Sequence, residues 1–333
     1  MIIALPGMDR PGRCGRRRGG GGMAHGMAET SSATETGGVT ELDGLDLVDP
    51  GLMRMVGEHY DSEPLMRLAG EIHFDAELSR AEVAAALRVY GRPLPSLVYL
   101  PCCGPLRHAA PLLEAGAERL VCVDLSRGAL EAGLARNVPA PFRPRLDVRH
   151  GDVRAAARAL PPGGAEFAFM GGNSLGDVTD PGGHERFIAA LAGALAPGGV
   201  LVFDYAGGRY APDAGDGTTE WPELYRGPDG DVEAVDRRRR TLRPLDGTPM
   251  AVLSVACEVV EAATGRTVVP PHTYEKLAVP DDVLAEQFAR AGLELTDAGP
   301  VAEWSPYHRD RIDRVGDLGM LGEPDHWYRA VRA

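Results

Sequence analysis

The chain has 333 residues, of which 44% are hydrophobic and 25% charged, and its formal net charge is −13. An acidic surface repels phosphate backbones, which argues against nucleic acid as a partner, and no apolar run approaches the roughly 18 residues that span a bilayer. Five cysteines at irregular spacing argue for reduced thiols in a soluble cytoplasmic protein rather than a disulfide framework. Adjacent Cys102 and Cys103 have no paired His or Cys at ligand spacing, so no metal site is expected. Lys276 is the single lysine among many arginines, a bias that reads as codon usage, and the Arg237–Arg240 run reads as a solvated face.

Residues 1–40, rich in Gly, Arg, Ser and Thr, are predicted to be disordered. Their apolar start precedes the arginines, the reverse of a secretory signal, and Met23 and Met27 are alternative starts. Residues 41–94 are predicted to form a helical cap. Leu65, Met66, Leu68 and Ile72 give one apolar face, and Val83, Ala86, Leu87 and Tyr90 another at helical spacing. Ser79 and Glu82 read as a capping box ahead of the second face.

Strand and helix signals then alternate. Strands are predicted at Leu97–Leu100, Arg119–Asp124, Arg145–His150, Ala165–Met170 and Val200–Tyr205. Between them come helices at Arg107–Ala115, Gly128–Asn137, near Val153–Leu160, and at His184–Leu195, the last ended by Pro197-Gly198-Gly199. This pattern predicts a mostly parallel sheet with helices on both faces over 95–206. Gly207–Gly230 reads as a loop, followed by β runs at Val232–Leu242, Met250–Ala262 and Arg266–Leu277. Ala263-Thr264-Gly265 reads as a hairpin turn between the last two runs. Residues 207–277 are thus an antiparallel insertion. Residues 278–333 complete the main sheet with a helix at Asp281–Ala291, a strand at Leu293–Pro300, and a final antiparallel strand at His326–Arg332.

Ligands of such sheets bind beyond the carboxyl ends of the strands, where the strand order reverses. The first of these ends carries Pro101-Cys102-Cys103-Gly104-Pro105-Leu106, and the second ends in Asp124, some 20 positions on. The third is followed by Gly151-Asp152-Val153. The fourth is followed by Gly171-Gly172-Asn173-Ser174-Leu175-Gly176, and the fifth ends in Phe203-Asp204-Tyr205. A nicotinamide site is disfavoured because the turn lacks G-x-G-x-x-G, and neither a phosphate-binding loop nor a G-x-S-x-G nucleophile occurs.

These elements, in this order, resemble the S-adenosylmethionine (SAM)-dependent methyltransferase family of the small-molecule type. The resemblance implies a Rossmann-like α/β fold with a mostly parallel seven-stranded sheet plus the antiparallel β insertion. It implies SAM as cofactor and methyl transfer to a small molecule in secondary metabolism, that is, natural-product biosynthesis. It assigns cofactor contacts to Pro101, Cys102 and Gly104 at the turn, to Asp124 (ribose hydroxyls) with Leu125, to Asp152 and Val153 (adenine), and to Asn173. Candidate catalytic groups are His73 from the cap and His272 and Tyr274 at the end of the insertion. An aromatic residue such as Tyr60 is expected over the cofactor. The turn departs from the family's acid-x-Gly-x-Gly-x-Gly pattern: Leu100 stands for the acid, Cys102 and Leu106 for the outer glycines. That departure keeps two alternatives open: a non-methylating cyclisation or elimination, such as aziridine formation, and a non-catalytic partner subunit. A homo- or hetero-dimer also stays open.

Overall fold

In the computed structural model, residues 38–42, 45, 48–61, 76–206, 216–227, 230–301 and 326–333 are described. The disorder expected over 1–40 falls almost wholly outside them, as do Leu65, Met66, Leu68, Ile72 and His73. Among the described residues no helix is long and apolar enough to cross a membrane.

The chain enters through β1 (Thr40–Glu41), α1 (Pro50–Met55) and a π-helical turn at Val56–Tyr60. The main alternation is α2 (Ala76–Tyr90), β2 (Leu97–Pro101), α3 (Ala109–Glu114), β3 (Arg119–Asp124), α4 (Arg127–Arg136), β4 (Leu146–His150), β5 (Ala165–Met170), α5 (Pro181–Ala194) and β6 (Leu195–Tyr205). An antiparallel set follows: β7 (Gly217–Gly227), β8 (Gly230–Pro244), β9 (Ala251–Glu261) and β10 (Thr267–Ala278). The chain closes with α6 (Asp281–Arg290), β11 (Leu293–Pro300) and β12 (His326–Arg332).

The main sheet has the order β1-β4-β3-β2-β5-β6-β12-β11, and β12 pairs antiparallel with both neighbours. It therefore has eight strands, not seven: β1 adds to β4 in parallel register within the stretch expected to be disordered or helical. The central strands are near-continuous apolar runs because both faces are covered. One face buries Val83, Ala86, Leu112, Leu130 and Leu134 from α2, α3 and α4. The other buries Ile188 and Leu191 of α5 and Leu284 and Phe288 of α6, together with Val252 and Leu277 of the second sheet.

Local sequence sets most element ends. Ser126 caps α4 through the Ala129 amide. Asp180 caps α5 with Pro181 in the first turn, so this helix starts ahead of the expected His184. β6 begins at Leu195 because Pro197-Gly198-Gly199 is absorbed as an irregularity in the strand: the pairing with β5 slips between Ala165 and Phe167. Gly133 packs against the turn after β2, where a Cβ would stand 2.3 Å from the Pro105 carbonyl oxygen.

Two sequence readings are corrected here. Gly207–Gly230 is not all loop, since Gly217–Gly227 pairs with β8 and makes the insertion a four-stranded sheet. Ser79 and Glu82 do not cap a helix, since both lie inside α2 and are buried. The Glu82 carboxylate is drawn instead to Arg107 and His108 across the α2–α3 interface. The second sheet is tied to the first by Tyr205, whose hydroxyl donates to the Leu277 carbonyl (2.6 Å) and accepts from the Val279 amide (3.1 Å).

Candidate functional site

The chain runs β2→β3→β4 in one direction and crosses back to β5 on the other side of β2, so the order reverses between β2 and β5. A cavity of about 600 Å³ lies over these strand tips, under a roof of α1 and the turn that follows it. Ligand cavities commonly have volumes of this order.

Its floor begins with the turn after β2. Cys102, Gly104 and Leu106 all have positive φ (51°, 50° and 56°). The backbone thus keeps a left-handed alternation at the very positions where the family pattern has glycine, although two of the three residues carry side chains. Leu106 spends its side chain in the core, fully buried. Around Gly104 a Cβ would meet nothing within 4 Å, so the backbone there opens onto the cavity. A non-glycine residue held in this region costs of order 1–3 kcal/mol. Cys102→Gly is therefore expected to raise unfolding stability by about 1 kcal/mol, since part of the relief is offset by the greater freedom of glycine in the unfolded chain. Urea unfolding of the two proteins measures it, and a Cys102→Gly protein less stable than wild type would contradict it.

Asp124 closes the turn from the end of β3. Its Oδ2 accepts from the Gly104 amide (2.7 Å) and its Oδ1 from the Ser126 amide (2.8 Å). Burial pushes its pKa up to about 6 despite these donors. A carboxylate has about four lone-pair sites, so each oxygen keeps one for a further donor such as a ribose hydroxyl. Leu125 lines the cavity beside it, its carbonyl 3.1 Å from His150 Nε2. Asp152 and Val153 also line it. Asp152 is buried; it accepts from the Arg154 amide (2.6 Å), and the Arg154 side chain donates to it from Nε (2.9 Å) and Nη2 (2.5 Å).

Two of the expected cofactor residues do not line the cavity. Pro101 is buried at the end of β2. Asn173, left-handed at φ 55°, turns its side-chain oxygen to the Ala206 amide (3.2 Å), while its own amide donates to Asp204 (2.7 Å). Asp204 also accepts from the Gly172 amide (3.0 Å), so this acid secures the turn after β5. Burial, with the Glu82 charge, raises its pKa to about 7.

The opposite wall holds Tyr60, the aromatic expected there, and Asp177, which the sequence did not single out for chemistry. Tyr60 donates to Asp177 Oδ2 (3.1 Å), and Lys276 Nζ lies 2.6 Å from Asp177 Oδ1. The single lysine of the chain thus sits buried, joining β10 to the turn after β5, and also donates to the Asn173 carbonyl (3.2 Å). Burial raises the Asp177 pKa, opposed by Lys276 and Tyr60. Burial, with the adjoining Asp177, pushes the Tyr60 phenol well above its ordinary value, so it remains a donor.

His272 and Tyr274 do not line the cavity; they form a second layer behind Tyr60. The His59 ring lies 5.0 Å from His272 and 4.8 Å from Tyr274. His272 Nδ1 is 3.0 Å from the Pro270 carbonyl, which only accepts, so Nδ1 carries the proton and Nε2 faces Cys257 Sγ at 2.9 Å. Burial pushes the Cys257 thiol up to about 12 and lowers the His272 pKa, which leaves a neutral thiol–imidazole pair. The four-arginine run is not wholly solvated either: Arg238 is buried, paired with Asp236 at 3.2 Å and 3.5 Å from the Tyr274 hydroxyl. His73 lies outside the described residues.

No protein-family model and no curated protein matches the sequence. Solved structures do match. The SAM-bound CalS10 of Micromonospora echinaspora, an amino pentose methyltransferase involved in calicheamicin biosynthesis, is 17% identical with a TM-score of 0.54, over 78% of this chain and 92% of that one. The methyltransferase CcbJ of Streptomyces caelestis is 21% identical with a TM-score of 0.54, over 77% and 94% of the two chains. DesVI of Streptomyces venezuelae is 16% identical with a TM-score of 0.51, over 78% and 93%. The chain therefore has the Rossmann-like fold of these small methyltransferases, with the antiparallel sheet inserted after β6.

Proposed function

We propose that this chain transfers a methyl group from SAM to a small molecule of natural-product type. The carrying observation is the left-handed backbone run at Cys102, Gly104 and Leu106, tied by its central amide to a half-satisfied Asp124 at the strand-order switch. That arrangement suits a nucleoside whose ribose hydroxyls donate to Asp124. Arg154 occupies both Asp152 oxygens, so we assign the adenine contact to the amide of Val153, the first residue of a 3-10 turn and without a partner inside it. SAM, when bound, supplies an activated methyl on a sulfonium.

The residues of this chain then have positioning tasks. Tyr60, held by Asp177, sits on the cavity wall where an incoming nucleophile is aligned. Lys276, 2.6 Å from Asp177, opposes the burial that raises the pKa of this carboxyl, and in its ionised form Asp177 can take up a proton released by an amine or hydroxyl. CalS10 acts on an amino pentose, and an amino sugar is the acceptor class we favour here. Free thiols at the four described cysteines support a reducing, cytoplasmic setting.

Incubation with SAM and a panel of amino-sugar natural products is expected to release S-adenosylhomocysteine together with a product heavier by one methylene. SAM binding without release against any amine or hydroxyl acceptor would instead support the non-methylating alternative.

A further inference from the structure

Leu100, which stands where the resembled pattern has an acid, is apolar and buried, and it offers nothing to the charged amino-acid end of SAM. A polar cluster stands nearby that has no part in the reading above. Glu82 of α2, buried, accepts through Oε2 from Arg107 Nη1 and lies 2.8 Å from His108 Nε2. Arg107 and His108 line the cavity, whereas Glu82 stands behind them. Next to them is Gly171, where a Cβ would come within 2.9 Å of His108 Cε1.

Burial and the Arg107 charge lower the His108 pKa to about 4, so its ring is neutral at pH 7. Burial also resists ionisation of Glu82, but Arg107 and the His108 hydrogen bond outweigh it and hold the carboxyl well below the usual range. At the tip of β2 the cavity wall therefore presents the Arg107 guanidinium, held by the Glu82 carboxylate, whereas the other lining arginines lie elsewhere, Arg154 on Asp152 and Arg186 beside Asp180. A buried Arg–Glu pair is costly to desolvate and is frequently no better than an apolar pair of equal volume. Here both members are buried, and Arg107 directly follows the fully buried Leu106, so an apolar pair would be accommodated without that cost.

The position fits one end of a nucleoside-linked amino acid. Asp124 ends β3, Arg107 follows β2, and Gly171 follows β5, and these strands are consecutive neighbours in the sheet. A ligand with its ribose at Asp124 crosses the tip of β2 and reaches Arg107. We propose that Arg107, positioned by Glu82, binds the carboxylate of the donor's amino-acid end. A planar guanidinium suits a carboxylate through paired N–H donors. This inference rests on the donor reading above and deepens it.

Calorimetry with three unreactive ligands separates the two. S-adenosylhomocysteine keeps both charged groups, its decarboxylated analogue keeps only the ammonium, and 5′-methylthioadenosine keeps neither. Wild-type protein is expected to bind S-adenosylhomocysteine about 10- to 100-fold more tightly than the decarboxylated analogue, the worth of a charged hydrogen bond. The decarboxylated analogue and methylthioadenosine should bind alike. This ligand series needs no variant, so a folding defect cannot mask the answer. Arg107→Gln should then erase the preference for S-adenosylhomocysteine while leaving methylthioadenosine binding unchanged, and Glu82→Gln should weaken the preference in the same ligand-selective way. Equal binding of S-adenosylhomocysteine and its decarboxylated analogue to the wild type overturns the inference and leaves the donor reading standing. Equal weakening of all three ligands in Arg107→Gln overturns it also. Failure of methylthioadenosine itself to bind the wild type removes the donor reading, and this inference with it.

Discussion

Replacing Lys276 with methionine should lower the unfolding free energy by about 3–5 kcal/mol at pH 8, the usual loss when one member of a buried ion pair is removed. Methionine keeps most of the volume, so the loss is electrostatic rather than a cavity effect. Lys276 is almost wholly buried, 2.6 Å from a largely buried Asp177. Without the ammonium, Asp177 keeps, among the described residues, the Tyr60 hydroxyl as the partner of its charge. Burial already raises its pKa, and the variant removes the main opposing influence, so the carboxyl is protonated over a wider range. The sign follows: a folded-state pKa above the unfolded value favours folding at low pH, and stability is lost as pH rises through it. The deficit should therefore be larger at pH 8 than at pH 5, and Lys276→Met/Asp177→Asn should recover most of it. Urea unfolding at the two pH values checks this. A deficit that is the same at both would show that Asp177 does not carry it.

A second large effect concerns Asp124. Its carboxyl has a pKa near 6 in the free protein, and ribose hydroxyls donate to the ionised form. Affinity for S-adenosylhomocysteine should be constant above that pH and fall by up to about tenfold per unit below it. Asp124→Ala should cost about 1–3 kcal/mol of binding at pH 8 and abolish the contribution of this group to the slope. Asp204, with a pKa near 7, also titrates in this range, so the comparison between wild type and Asp124→Ala isolates the relevant carboxyl. Calorimetry at half-unit steps from pH 5 to 8 reads both quantities. A variant that binds as tightly as the wild type would take Asp124 out of the site.

The parallel core was legible in sequence because its strands are buried on both faces and so appear as uninterrupted apolar runs such as Leu97–Leu100 and Ala165–Met170. Strand β7 was not. Gly217–Gly227 contains Pro222, lies at the free edge of its sheet, and has no alternating apolar pattern; proline is tolerated in just such a position. The candidate site divides in the same way. Asp124 and Asp152 follow strands, and their place in the chain announces their place in space. Glu82, Arg107 and His108 meet only through the packing of α2 on α3, and a Ser-x-x-Glu spacing offered a local explanation for Glu82 that the structure does not use. Lys276 comes from β10 and Asp177 from the 3-10 turn after β5, some 100 residues earlier in the chain. A signal for Lys276 was present all the same: one lysine in a chain that otherwise uses arginine marks a place where a compact ammonium is required.

The roof is fastened unevenly. Tyr60 is fastened to Asp177, and Asp61 accepts from the Ser126 hydroxyl and the Gly128 amide, so the chain is moored at that end. Just before it, α1 buries none of its six residues, although Leu52 and Met55 face the cavity. Among the described residues the roof is therefore pinned at its Tyr60–Asp61 end and least buried over Pro50–Met55.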